Sequence, residues 1–166
     1  MISAQTHALL GAIAPLHEAP QELGAWSSAL NALTRAIPCE QASLVERLGF
    51  GAGAGLGLVV GIDERFVGEY QREYHRIDPF ASDIAMSRLH DLGRAALSGE
   101  VLQDGELQRS PYYSQFLARY GDLFHGVGGA FPIADESHAH IWLMRPRGQL
   151  FDEAERSGLD LFLTHA

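Results

Sequence analysis

The sequence predicts an α/β domain of the α+β kind, with a sheet packed between helical layers. Three observations predict it. Leu23, Trp26, Leu30, Leu33 and Ile37 recur at three- and four-residue steps, as one buried helix face does. Residues 124–134 and 138–145 read as two strands around the turn Asp135-Glu136-Ser137, an antiparallel hairpin. The elements also interleave, in the order helices, strands, helix, variable middle, helix, hairpin, helix.

Each element has a local cause. Leu9, Leu10 and Ile13 predict a first helix over residues 4–13, punctuated by Pro15 and Pro20. The second helix covers residues 21–37 and ends at Pro38. Residues 42–48 read as a strand, and the alternating glycines of 49–57 read as a flexible hairpin leading into a strand over 58–62. Those glycines do not indicate a phosphate cradle: no lysine follows at Walker spacing, and the G-x-G-x-x-G offsets are not met. Asp63 can cap a helix that carries Phe66, Tyr70 and Tyr74 on one face. Asp78-Pro79 stops it, because the residue before a proline is pushed out of the helical region. Residues 81–92 suggest a short helix, 94–101 are ambiguous, and Gln103-Asp104-Gly105-Glu106 reads as a turn. Ser110-Pro111 opens a helix with Tyr112, Tyr113, Phe116, Leu117 and Tyr120 on its apolar side, closed by Gly121. On the second hairpin strand His138, His140, Trp142 and Met144 share one face, and Ala139, Ile141 and Leu143 the other. Asp152 and Glu155 form a capping-box pattern before a last helix that turns Leu159, Phe162 and Leu163 inward.

Composition narrows the function. The 166 residues are 46% hydrophobic and 20% charged, which suits one globular domain over 1–166 with its own core. No run reaches transmembrane length, so no membrane partner is expected. Met1-Ile2-Ser3-Ala4-Gln5 has neither a basic n-region nor an apolar h-region, so no signal peptide is read. Cys39 is the only cysteine, which fits a reducing, cytoplasmic compartment. Twelve Lys and Arg against 21 Asp and Glu give a formal net charge of −9, which repels phosphate backbones. The small basic patches at Arg72 and Arg76 and at Arg145-Pro146-Arg147 read as solvated surface.

Catalytic constellations are thin. There is no G-x-S-x-G elbow and no H-E-x-x-H helix, so an enzyme is not expected. Cys39, in the turn Pro38-Cys39-Glu40, reads as a small filler. His138 and His140 on one strand face, with His125 across the hairpin, suggest three converging imidazoles. No Asp, Glu or Cys sits at the usual ligand offsets, so neither metal nor cofactor is expected. The stripe Phe66, Tyr70, Tyr74 ending at Asp78 has two readings. It is a pocket wall with one polar anchor, or it is core packing beside an aspartate that serves a turn.

Four stretches resemble the N-terminal sensing domain of LuxR-type transcription regulators. The run from Glu69-Tyr70 through Tyr74 to Ile77-Asp78-Pro79-Phe80 is similar to that family's tyrosine-spaced helix ending in Asp-Pro. Ser110-Pro111-Tyr112-Tyr113-Ser114-Gln115-Phe116-Leu117 resembles its serine–aromatic–phenylalanine helix. The run from Gly121 to His125-Gly126-Val127-Gly128-Gly129-Ala130 resembles its glycine-rich entry to paired strands. Residues 143–147 followed by Phe151-Asp152-Glu153-Ala154-Glu155-Arg156 resemble its strand, arginine-containing loop and closing helix. The likeness runs over residues 5–166.

This resemblance implies an α-β-α sandwich of GAF/PAS-like type, with a central antiparallel sheet and a small-molecule cavity against one helical layer. Carried over residue by residue, it implies Phe66, Tyr70, Tyr74 and Asp78 as cavity residues. The sheet is expected to complete the cavity with residues such as Phe131, Trp142 and Met144, although strand alternation allows either face to point there. The chain departs from members that bind acyl-homoserine lactones. Phe66 stands where those members have tryptophan, Asp78 comes one residue early, and the next tryptophan is Trp142. The implied ligand is therefore an apolar or aromatic small molecule of open identity. The resemblance also implies a homodimer, with DNA contacted only through a helix-turn-helix domain that this sequence does not contain. Two alternatives stand beside the sensor: an interaction or dimerisation module whose cavity its own aromatics fill, and a small enzyme using Asp78 or the histidines.

Overall fold

The computed structural model describes residues 3–18, 23–48, 55–134 and 137–166. Its five strands are β1 (Gln41–Leu48), β2 (Gly55–Val60), β3 (Ala96–Leu97), β4 (Leu123–Ala134) and β5 (Ser137–Pro146). They form one sheet in the order β2-β1-β5-β4-β3, with every neighbouring pair antiparallel. Strand alternation then decides which helices each side chain meets.

Ala139, Ile141 and Leu143 of β5 face a layer made of α1 (Ala4–Glu18), α2 (Leu23–Ala36) and α8 (Glu153–His165). Leu9, Ile13, Leu30, Leu33, Leu159 and Phe162 complete this core at 2% exposure or less. Each such side chain contributes about 1.5–3 kcal/mol by leaving water. The other face carries His140, Trp142 and Met144. It is covered by α3 (Glu64–Arg72), α4 (Asp83–Leu92), α5 (Ser98–Val101), α6 (Asp104–Arg109) and α7 (Pro111–Gln115), through two smaller clusters. The result is the α-β-α sandwich with a central antiparallel sheet.

Capping follows the sequence signals. Asp63, Ser82, Ser110 and Asp152 each accept a backbone N–H at the start of α3, α4, α7 and α8. Glu155 answers Asp152 reciprocally, which completes the capping box. Gly121 adopts φ +76°, a left-handed conformation that closes the α7 region.

Four expectations change. Pro15 does not end α1, which continues to Glu18, because Leu16 is buried beyond the proline and packing carries the helix through. The turn expected at 103–106 is instead the start of α6, since Glu106 accepts from the Gln103 N–H and nucleates a helical turn. The aromatic helix stops at Arg72 rather than at Asp78. The His75 ring Nδ1 donates to the Tyr70 carbonyl at 3.2 Å, a bond made there by a side chain rather than by a continuing helical ladder, and Tyr74–Arg76 turns as a 3₁₀ helix. Arg145 is not solvated surface. Its guanidinium donates two bonds to Glu155 at 2.6 and 3.0 Å, reaches the Pro38 and Leu150 carbonyls, and stacks over Phe151 at 3.9 Å. Of the glycine hairpin expected at 49–57, residues 49–54 lie outside the described residues and 55–57 already belong to β2; the turn residues 135–136 also lie outside the described residues. Among the described residues no helix is long and apolar enough to cross a membrane.

Candidate functional site

The sheet face bearing His140, Trp142 and Met144 does not meet the helices everywhere. Between it and the second layer lies a pocket that is partly open to solvent. Register builds the sheet wall in rows: Gln41 beside Met144 and Gly126, Ser43 beside Trp142 and Gly128, Val45 beside His140 and Ala130. Gly128 is required here. A Cβ at that position would lie 2.3 Å from Trp142 Cδ2, so only glycine lets the indole lie across β4. The helical wall brings Phe66 and Tyr70 from α3, Met86 from α4, Ser98 from α5 and Tyr112 from α7. Phe80 and Ala81, from the 3₁₀ turn Pro79–Ala81, close one side.

Among the described residues Asp78 is the one carboxylate in this lining, and no described lysine or arginine joins it. Its two oxygens do different work. Oδ1 caps the 3₁₀ turn by accepting the Phe80 N–H at 2.9 Å. Oδ2 accepts the Tyr70 hydroxyl at 2.8 Å. Burial first, and the Asp78 charge next, push the Tyr112 phenol well above its ordinary value of 10.0, so it stays a neutral hydroxyl at physiological pH. The site thus offers an aromatic-walled pocket with one carboxylate held by the Phe80 N–H and by the Tyr70 and Tyr112 hydroxyls. It attracts an N–H or O–H donor and repels anions.

Phe116, fully buried, is the hub behind this wall. It stacks on Phe66 at 4.5 Å and on Tyr74 at 4.6 Å, with Tyr112 and Tyr120 at 5.4 Å. Phe66, Tyr70 and Tyr74 are accordingly all buried, at 3%, 5% and 8% exposure.

Five of the seven residues expected at the site line the cavity: Phe66, Tyr70, Asp78, Trp142 and Met144. Tyr74 does not. The 3₁₀ turn takes it out of the i, i+4 phase, and it packs behind the wall on Phe116. Phe131 does not either. It pairs with Ala139 on the opposite face and stacks on Trp26 at 5.3 Å in the other core. The sequence reading did not name Gln41, Ser43, Val45, Met86, Ser98, Tyr112 or His140 as site residues. The β1 residues follow from alternation only once the β1–β5 register is known. Of the three histidines considered for a metal, His138 and His140 lie against His90 at 4.8 and 5.7 Å, while His125 lies against Phe124. Among the described residues no group of three or more His, Cys, Asp or Glu is placed to hold a metal ion.

No family model and no curated protein matches the sequence. Solved structures do match the fold. The VqsR LBD domain from Pseudomonas aeruginosa superposes with a TM-score of 0.64 at 12% identity, over 98% of this chain and 96% of that one. The N-acylhomoserine lactone dependent LuxR family transcription factor CepR2 from Burkholderia cenocepacia gives 0.65 at 16% identity, over 97% and 89%. The GAF domain of a phosphoenolpyruvate-protein phosphotransferase from Coxiella burnetii gives 0.59 at 13%, over 96% and 90%. The chain therefore has the α-β-α sandwich shared by LuxR-family ligand-binding domains and GAF domains.

Proposed function

We propose that residues 1–166 form the small-molecule-sensing domain of a LuxR-type bacterial transcription regulator, binding an apolar or aromatic ligand between the sheet and the α3–α7 layer. The observation that carries this reading is the cavity itself, walled by Phe66, Tyr70 and Trp142 and holding the Asp78 carboxylate. Asp78 anchors a ligand N–H or O–H, and the aromatic rings cover the ligand's apolar body. In this reading the site binds rather than catalyses, with Asp78 held in place by the Tyr70 hydroxyl and the Phe80 N–H. The fold shared with the VqsR and CepR2 domains supports the regulatory reading. In this reading the protein is a cytoplasmic homodimer, and DNA is contacted by a separate helix-turn-helix domain.

Melting curves of wild type and Asp78→Asn, with and without decanamide or N-decanoyl-homoserine lactone, test it. Asparagine keeps an oxygen to cap Phe80 but loses the charge. Probe binding should weaken by about 1.5–3 kcal/mol, the range for hydrogen bonds to charged groups. An Asp78→Asn protein that melts lower alone, yet is raised by the probe as much as wild type, leaves Asp78 a turn residue only.

A further inference from the structure

The two faces of the sheet differ in a way that packing does not explain. On the α1–α2–α8 side, β1 and β5 present Ala42, Leu44, Ile141 and Leu143. On the cavity side the same two strands present Gln41, Ser43 and His140, each at 5% exposure or less, among the apolar Val45, Trp142 and Met144. Gln41 is the sharpest case. It is 3% exposed, lines the cavity, and its Oε1 has no hydrogen-bond partner among the described residues. A buried acceptor left without a donor bears its full desolvation penalty, and native proteins seldom keep one without use. A self-filled core would place a leucine or methionine here.

We infer that the sheet wall is a second polar subsite: the ligand presents a hydrogen-bond donor, a hydroxyl or N–H, to Gln41 Oε1, while Asp78 serves the helical wall. The ligand class follows. It is an uncharged or cationic molecule with an apolar body and two separated donor groups, rather than a plain hydrocarbon chain or an anion. This rests on the reading of the cavity as a ligand site.

The test uses straight-chain alkanamides of increasing length and their ω-hydroxy counterparts, measured by displacement of N-phenyl-1-naphthylamine. The amide N–H supplies the group for Asp78, and the length series finds the reach to Gln41. At the matching length the hydroxyl should tighten binding to wild type by roughly five- to tenfold, as one added neutral hydrogen bond does. Gln41→Met, with Gln41→Leu beside it, should abolish that gain and melt no lower than wild type without probe. Three results overturn the inference alone: parent amides that bind with no hydroxyl gain at any length, a gain that survives in Gln41→Met, or probe-free variants that melt several degrees lower, which would make Gln41 a structural residue. Failure of every alkanamide to bind folded wild type overturns the ligand-site reading and this inference with it.

Discussion

Gly128→Ala tests whether Trp142 forms the sheet wall as described. A Cβ at this position would lie 2.3 Å from Trp142 Cδ2, 2.4 Å from Cε3 and 2.7 Å from the Ile141 carbonyl oxygen. Carbon atoms in contact rest at about 3.5–4.0 Å, so the indole must retreat by more than an ångström. It cannot retreat freely, because Phe80 packs against it, tilted, at 5.6 Å between ring centroids and Met86 and Leu89 pack in the same cluster. The Ile141 carbonyl belongs to the strand itself, so β5 must yield as well. Overpacking of this kind costs about 1–3 kcal/mol, and two clashing partners place Gly128→Ala in the upper half. At about 2–4 °C per kcal/mol for a chain of this size, the melting temperature should fall by roughly 4–12 °C. Gly126→Ala is the control, since its Cβ meets Ser98 Cβ at 3.4 Å, an ordinary contact. Urea unfolding followed by circular dichroism gives the stability. Fluorescence in a Trp26→Phe background isolates Trp142, the remaining tryptophan. If Gly128→Ala is as stable as Gly126→Ala and leaves the Trp142 emission unchanged, the ring does not lie across β4.

Three further outcomes follow from other parts of the structure. Arg145→Met strips the guanidinium from Glu155, whose side chain is 17% exposed, and should cost about 3–5 kcal/mol in denaturant unfolding, whereas a loss below about 1 would mean the pair is effectively solvated. Burial raises the Cys39 thiol from 9.0 to about 11, so the folded state holds a proton that the unfolded chain releases, and stability should decline as pH rises from about 9 through 11. Cys39→Ala should flatten that decline, and at pH about 8 wild-type Cys39 should alkylate roughly two orders of magnitude more slowly than free cysteine. The chain should self-associate as a homodimer through its terminal helices, α1 and α8. A monomer by light scattering at high micromolar concentration argues against this.

What could be read from sequence was what neighbouring residues decide among themselves. The β5 face split, the Asp63, Ser110 and Asp152 caps and the aromatic series Phe66, Tyr70, Tyr74 depend on period and on local hydrogen bonds. What could not be read depends on partners far away in sequence. Gln41, Ser43 and Val45 line the cavity because β1 pairs with β5, about a hundred residues on, in one particular register. Phe131 looked like a cavity residue because a strand alternates in two possible phases, and only its pairing with Ala139 chooses the core phase. Tyr74 left the wall for a different reason: a single side-chain bond from His75 to the Tyr70 carbonyl marks where the helical phase ends. Asp78 suited both a turn and a pocket, and in the structure its oxygens divide between the Phe80 N–H and the Tyr70 hydroxyl.

The central claim is that the space between Trp142 and Phe66 holds a small molecule. The most direct measurement is titration of N-phenyl-1-naphthylamine into Trp26→Phe protein while following Trp142 emission, repeated with Gly126→Leu. Gly126 lines the cavity and its Cβ makes ordinary contacts, so leucine there projects into the space without breaking the strand. The account predicts saturable quenching at one probe per chain, and its loss in a Gly126→Leu protein whose circular dichroism matches wild type. Quenching that is absent from the folded parent, or unchanged when the cavity is filled, would contradict it.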